Sequence, residues 1–305
     1  MHSLILILLT FLCSLSLSLH AADKIYQIDI APLQAEVELA QQYELLQAKF
    51  QNEALTTEEH QKRLAIVQEV LKKKPDWYDG YWLLAAETFF IGSSYTNPKD
   101  HALARKHLVV GEAAAVECLK RKPDYLLCRF FKASVRAKIA SIDGILASLS
   151  YGKMVRKIWQ DVVNSGVDFQ FRPNVSLQGS AHYALGLFYR LVPNFFLMNW
   201  IFGIRGDIDE SIRYHRAALK YDGSNPCYQL MLSVALFCKV KGNPKTAEFT
   251  EAMKLLEAPA QTKALDVAQA ACVHDVPTIR DHPQKTCGYT QAKYQDDVKE
   301  HDLKS

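Results

Sequence analysis

Three stretches of the chain end in the same way. EHQKRLAIVQEVLKKKPD closes at Lys74-Pro75-Asp76, HALARKHLVVGEAAAVECLKRKPD at Lys122-Pro123-Asp124, and SIRYHRAALKYDG at Tyr221-Asp222-Gly223. Each carries apolar residues at helical spacing up to its end, where Pro or Gly stops it. One kind of helix recurring with one kind of stop predicts stacked helical hairpins, each burying a face on its neighbour. Composition agrees. Thirteen Gly and 11 Pro in 305 residues are too few for an architecture of many strands and turns. The fold class read from the sequence is therefore all-α, with elongated antiparallel hairpins stacked in a solenoid.

The third stretch carries the most detail. GDIDESIRYHRAALKYD, from Gly206 to Asp222, resembles the second helix of a tetratricopeptide repeat. Gly206 and Asp207 open it, Ser211 takes the small position, His215 the large aromatic one, and Ala218-Leu219 close it. Small residues at 211 and 218 admit a neighbouring helix, while Ile208, Ile212 and Leu219 fill the space between. Upstream, Leu185, Gly186 and Tyr189 have the spacing of the repeat's first helix. Tyr189 and Gly206 lie 17 residues apart, where a standard repeat has roughly four. An insertion near Leu191 to Gly203 is expected, and it holds the uncharged run FFLMNWIFGI.

An earlier hairpin has the same plan. Trp82, Ala85, Ala86 and Phe89 mark its first helix, IGSSYTNPKD its turn, and Gly111, Ala115 and Cys118 the small face of its second. Leu33 to Phe50 is read as the helix before these. Helices are also expected from Tyr125 towards Gly144, from Ser150 to Asn164, over the wholly apolar Tyr228 to Val240, and from Lys245 to Leu256. A shorter helix is expected over Gln261 to Cys272, with a polar tail beyond Pro277. The predicted organisation is a signal peptide at 1–22, a helical-repeat domain at 23–258, and a C-terminal helix and tail at 259–305.

Residues 75–258 resemble exported bacterial tetratricopeptide proteins. The family named by AAETFFIGSSYTNPKDHALARKHLVVGEAAAVECL, HYALGLFYRLVP and GDIDESIRYHRAAL is TatT, the helical accessory component of some TRAP transporters. The resemblance implies a soluble helical protein, an oligomer, an apolar small-molecule ligand and a periplasmic solute-binding protein as partner.

The start, MHSLILILLTFLCSLSLSLHAADK, has an apolar part shorter than the roughly 20 residues of a bilayer span. Ala21-Ala22 follow it, as in a secretory signal. No small residue directly precedes Cys13, so export to the periplasm without lipidation is expected, with cleavage near Ala22. An uncleaved N-terminal anchor is the alternative. Six cysteines then remain, an even number for an oxidising compartment. Aligned to the repeat, Cys118 stands where Ala218 does, and Cys128 sits early in the next helix. Those positions face each other across a tight turn and predict a disulfide. Cys272 and Cys287 are expected to close a loop through Pro277 and Pro283. Cys227 and Cys238, on one helix, stand about 16 Å apart in rise, too far to bond to each other.

Chemistry is sparse. There is no phosphate loop, nucleophile elbow or His-Glu-x-x-His. His101 and His107 do not share a helix face. His215 is read as a satisfied core histidine, and Asp207, Asp209 and Glu210 as acids in a helix's first turn, where the dipole favours them. A net charge of +3 gives no argument for nucleic acid. The expectation is a protein-binding scaffold without enzymatic activity, metal or cofactor. The alternative is a TatT-like carrier of an apolar small molecule for a TRAP-type uptake system. Homo-oligomerisation stays open. The residues expected to contact ligand or partner are Tyr189, Phe195, Phe196, Met198, Trp200 and Phe202. Arg190 and Arg205 bracket the insertion too closely for a membrane span, so packing over the end of the solenoid is its leading role. A pocket wall or an oligomer contact are the other two.

Overall fold

The computed structural model describes residues 24–26, 28–95, 97–290 and 293–294. The segment read as a signal peptide, 1–22, and the end of the segment read as a polar tail lie outside the described residues. Those described form an all-α chain: α1 (Ala31–Gln34), α2 (Val37–Asn52), α3 (Thr57–Lys73), α4 (Tyr78–Ser94), α5 (His101–Arg121), α6 (Leu126–Asp143), α7 (Ile145–Ser165), α8 (Leu177–Leu191), α9 (Phe196–Phe202), α10 (Ile208–Tyr221), α11 (Pro226–Lys239), α12 (Ala247–Leu255) and α13 (Val267–Asp281).

Local chemistry sets these limits. Thr56 and Glu59 form a capping box at the start of α3: the Thr56 hydroxyl accepts from Glu59 N, and the Glu59 carboxylate accepts from Thr56 N. At its far end Lys74 precedes Pro75, which disfavours helical backbone, and the helix stops. Asp207, Asn225 and Asp266 cap α10, α11 and α13 through their side chains.

Consecutive helices from α3 to α8 pack on one another. Gly92, late in α4, meets Leu108 and Ala104, early in α5. Cys118, late in α5, is bonded to Cys128, early in α6, and Arg105 at the start of α5 reaches Asp143 at the end of α6. Neighbours are therefore antiparallel. The small face of α5 does what small faces do: a Cβ on Gly111 would collide with the Thr88 hydroxyl of α4.

One core runs from Leu33 to Leu185 and Tyr214. It includes Trp82, which stacks on Phe131 and meets Phe169 and Phe171. Those two phenylalanines come from a short ribbon absent from the sequence expectations. Strands β3 (Gln170–Arg172) and β4 (Val175–Ser176) pair antiparallel around Asn174, whose φ is 57°. Beside it, β1 (Lys24–Ile25) pairs in parallel with β2 (Val167–Asp168). A second core gathers on α11, which is buried nearly all round, and takes in Ile212, Ala252, Cys272, Ile279 and Tyr289.

Two expectations about the C-terminal part need correction. The helix placed over Gln261 to Cys272 is instead a 3-10 turn at Pro259–Gln261 followed by α13, which runs through Pro277. Pro277 removes one backbone donor, but Cys272, Val276 and Ile279 on the same helix are buried against α11. The segment read as a polar tail is anchored as far as β5 (Tyr289–Thr290), with Thr286 and Tyr289 buried.

The cysteine pairing is the second correction. Cys272 bonds Cys227 and Cys287 bonds Cys238; the expected Cys272–Cys287 bond is not formed. Cys227 and Cys238 stand at opposite ends of α11, and α13 lies parallel to it. Cys272 and Cys287 are thus held about the same 16 Å apart that separates their partners. The two bonds close loops of 45 and 49 residues, and each stabilises by about 4 kcal/mol through the unfolded chain. Three disulfides fit an oxidising compartment. No helix among the described residues is long and apolar enough to cross a membrane.

Candidate functional site

Helix α8 packs on α10, and α9 is the excursion between them. The contact surface is built from the residues that mark the repeat. Gly186 lies against the His215 ring, so closely that a Cβ would stand 2.5 Å from it. The Ser211 hydroxyl donates to Gly186 O at 2.7 Å, and Leu185 and Ala218 are buried. Asp207 accepts from Asp209 N and Glu210 N as the cap of α10.

The excursion closes at its base. Asp207 N donates to Tyr189 O at 2.8 Å, and Gly206 N to Pro193 O. A side chain on Gly206 would strike Val192 O, so only glycine fits there. Gly203, with φ 64°, ends α9 in the left-handed conformation, and Arg156 of α7 donates to its carbonyl.

The six residues expected at a binding site separate into three groups. Met198 is fully buried with Leu149 and Ile204, and Phe195 and Phe202 pack around them. These form a small core under α9. Phe196 and Trp200, one turn apart, point the other way and are 74% and 73% exposed. Each stands two positions from Met198, about 200° round the axis, so inner and outer faces alternate as helix geometry requires. Tyr189 joins neither group: its ring stacks on Tyr214, and its hydroxyl accepts from Gln160. The inner face thus packs on the helix beneath it, whereas Phe196 and Trp200 face outward. Their replacement by Ala is expected to change the unfolding free energy by no more than about 0.5 kcal/mol each, measured by urea titration. Met198→Ala is expected to cost about 2–5 kcal/mol.

Beside the base of the excursion is an open groove of about 310 Å³, lined by Tyr189, Val192, Pro193, Phe195, Ile208 and the Cys238–Cys287 bond. Arg190 also lines it. Burial pushes this guanidinium down to about 10, and it donates to the carbonyls of Thr286, Cys287 and Tyr289. A cation held by carbonyl dipoles fixes the C-terminal segment against α8. Sequence reasoning missed this because the three acceptors are backbone atoms nearly 100 residues away.

His215 departs from its expected state. It is fully buried, but neither ring nitrogen has a hydrogen-bond partner. Burial, then the charge of Arg190, presses its pKa down to about 3. A second titratable cluster was not foreseen either. His60 Nδ1 lies 2.7 Å from Glu87 Oε2, and Arg63 reaches Glu87, Tyr43 and Gln47. The Arg63 guanidinium lies over the Tyr43 and Phe50 rings, and Arg172 over Phe50 as well. His60, Arg63 and Glu87 are all nine-tenths buried or more. Aromatic rings and neighbouring helices enclose the cluster, which makes it a charged tie between α2, α3 and α4. Among the described residues no three His, Cys, Asp or Glu come together to hold a metal ion.

No protein-family model matches the chain, and no curated protein is similar to it.

Proposed function

We propose that this protein is an exported, non-enzymatic scaffold of tetratricopeptide-like helix pairs that mediates protein–protein contact. The observation that carries the reading is a rigid helical frame that leaves apolar side chains outward. On α5, Leu103 and Val110 lie seven residues apart and so one above the other, with Val109 beside them; the three are 42–44% exposed. Their helix packs on α4 and α6 and is bonded to α6 by Cys118–Cys128, so the strip is presented without a folding cost at the moment of binding. Repeat proteins bind along such surfaces. A periplasmic solute-binding protein is the partner proposed.

The groove beside Tyr189 favours a second reading, an accessory protein that carries an apolar small molecule for a TRAP-type uptake system. Its volume is at the lower end for a ligand site. Native mass spectrometry after mild purification separates the two. A co-purifying lipid-like mass supports the carrier. A solute-binding protein retained by the wild type and lost from Leu103→Asp/Val110→Asp, with folding unchanged by circular dichroism, supports the scaffold. Retention by that variant would remove the α5 strip from the reading.

A further inference from the structure

The outer face of α9 differs from the α5 strip in its surroundings. From Leu177 to Gly206 the chain contains no Asp or Glu, and from Gly144 to Gln160 there is none either. These are the segments that make α9, its base, and the part of α7 beneath it. Cations remain. Lys153 runs along Gly203, Arg156 donates to the Gly203 carbonyl, and Arg205 stands two residues beyond Gly203, its side chain on Asn194. The nearest carboxylates in sequence are engaged: Asp143 with Arg105, Asp161 with Lys157, and Asp207 on the backbone of α10. Phe196, Trp200 and the half-exposed Ile201 therefore share this part of the surface with Lys153, Arg156 and Arg205.

Exposed aromatic groups on a short helix, bordered by Lys and Arg without acids, match one surface well. A bilayer of anionic phospholipids offers phosphates to the cations and a headgroup boundary where Trp and Phe are at home. A protein partner would need a complementary acidic rim at this spacing; a lipid surface supplies it everywhere. The arrangement of the inner face fits too. Met198 and its neighbours hold α9 from below, so its outer face can enter the interface without unfolding the pair beneath.

We propose that the outer face of α9 docks this protein on anionic phospholipid bilayers, with Phe196 and Trp200 entering the headgroup region and the exposed Lys153 and Arg205 on the phosphates. This goes beyond the scaffold reading, since α9 holds the protein to a membrane whether or not the α5 strip holds a partner.

The chain contains its own reporter. Of the four tryptophans, Trp77, Trp82 and Trp159 are buried, and only Trp200 is exposed. The full protein is titrated with mixed phosphatidylcholine–phosphatidylglycerol vesicles and with pure phosphatidylcholine vesicles. The Trp200 contribution is taken as the difference from Trp200→Phe. Anionic vesicles are expected to shift its emission to the blue and shield it from acrylamide, with reversal by salt. Phe196→Ser and Lys153→Glu/Arg205→Glu are each expected to weaken vesicle binding about tenfold or more, measured by co-sedimentation. Neither involves a buried side chain, and circular dichroism checks the fold. No shift with anionic vesicles overturns the proposal. So does equal binding to neutral vesicles, or undiminished binding by the charge-reversed variant. A shift that depends on protein concentration without vesicles overturns it in favour of a second copy on this face.

Discussion

Glu87→Gln is expected to lower the unfolding free energy by about 3–5 kcal/mol, the usual cost of breaking a buried ion pair from one side. Glu87 is 1% exposed and is the described carboxylate facing both His60 and Arg63. Burial alone would lower the Arg63 pKa; the charge of Glu87, and then Tyr43, outweighs that and leaves it raised. With a neutral amide at 87 the guanidinium stays in a site made of Tyr43, Phe50 and Gln47, with two of its nitrogens already lacking partners. The thermal midpoint should fall by about 10 °C. Arg63→Met added to Glu87→Gln should recover much of the loss, because it removes the stranded charge. A single-variant loss below about 1 kcal/mol by urea denaturation would mean that the cluster does not tie α2, α3 and α4 together.

The second large effect is acid lability centred on His215. Its folded pKa is about 3, against about 6.5 in the unfolded chain. Between those values the unfolded chain takes up a proton that the folded one refuses. The stability that neutral His215 permits is complete above pH 6.5 and is lost as pH falls towards 3, by on the order of 5 kcal/mol over the whole window. His215→Phe removes the proton site and two unpartnered buried nitrogens together. At pH 7 the variant should be more stable by about 1 kcal/mol, and its slope of stability against pH from 6.5 to 3 should lose nearly one proton. His182 is pushed the same way, mainly by burial, so some acid dependence will persist. The measurement is urea denaturation at stepped pH. A variant as acid-sensitive as the wild type would show that His215 is not the group responsible.

What could be read beforehand follows from the range of the interactions concerned. Lys74-Pro75, Lys122-Pro123 and the Asp207 cap act within one helical turn, and each helix end they predict is where it was expected. Cys118 and Cys128 are 10 residues apart across one turn, and their bond was legible for the same reason. The other two bonds span 45 and 49 residues, and which partners meet depends on how α13 lies along α11. No local pattern records that. Glu87 left a faint trace, as the one charge in the apolar run LLAAETFFIG, but its partners come from another helix. At the candidate site, the composition of FFLMNWIFGI announced something unusual. Which of its side chains turn inward was decided by the helix phase, fixed by Gly203 and by the pinched base.

That base has a consequence of its own. The chain leaves the α8–α10 pair at Tyr189 and returns at Asp207, two points joined by a single 2.8 Å hydrogen bond. Whatever lies between is a side branch on a finished hairpin. Such a branch can be exchanged without disturbing that junction, provided the replacement again covers Leu149 as Met198 and Ile204 do. The junction at Tyr189, Gly206 and Asp207 is thus a natural grafting point, where one helical frame can be given a different tip.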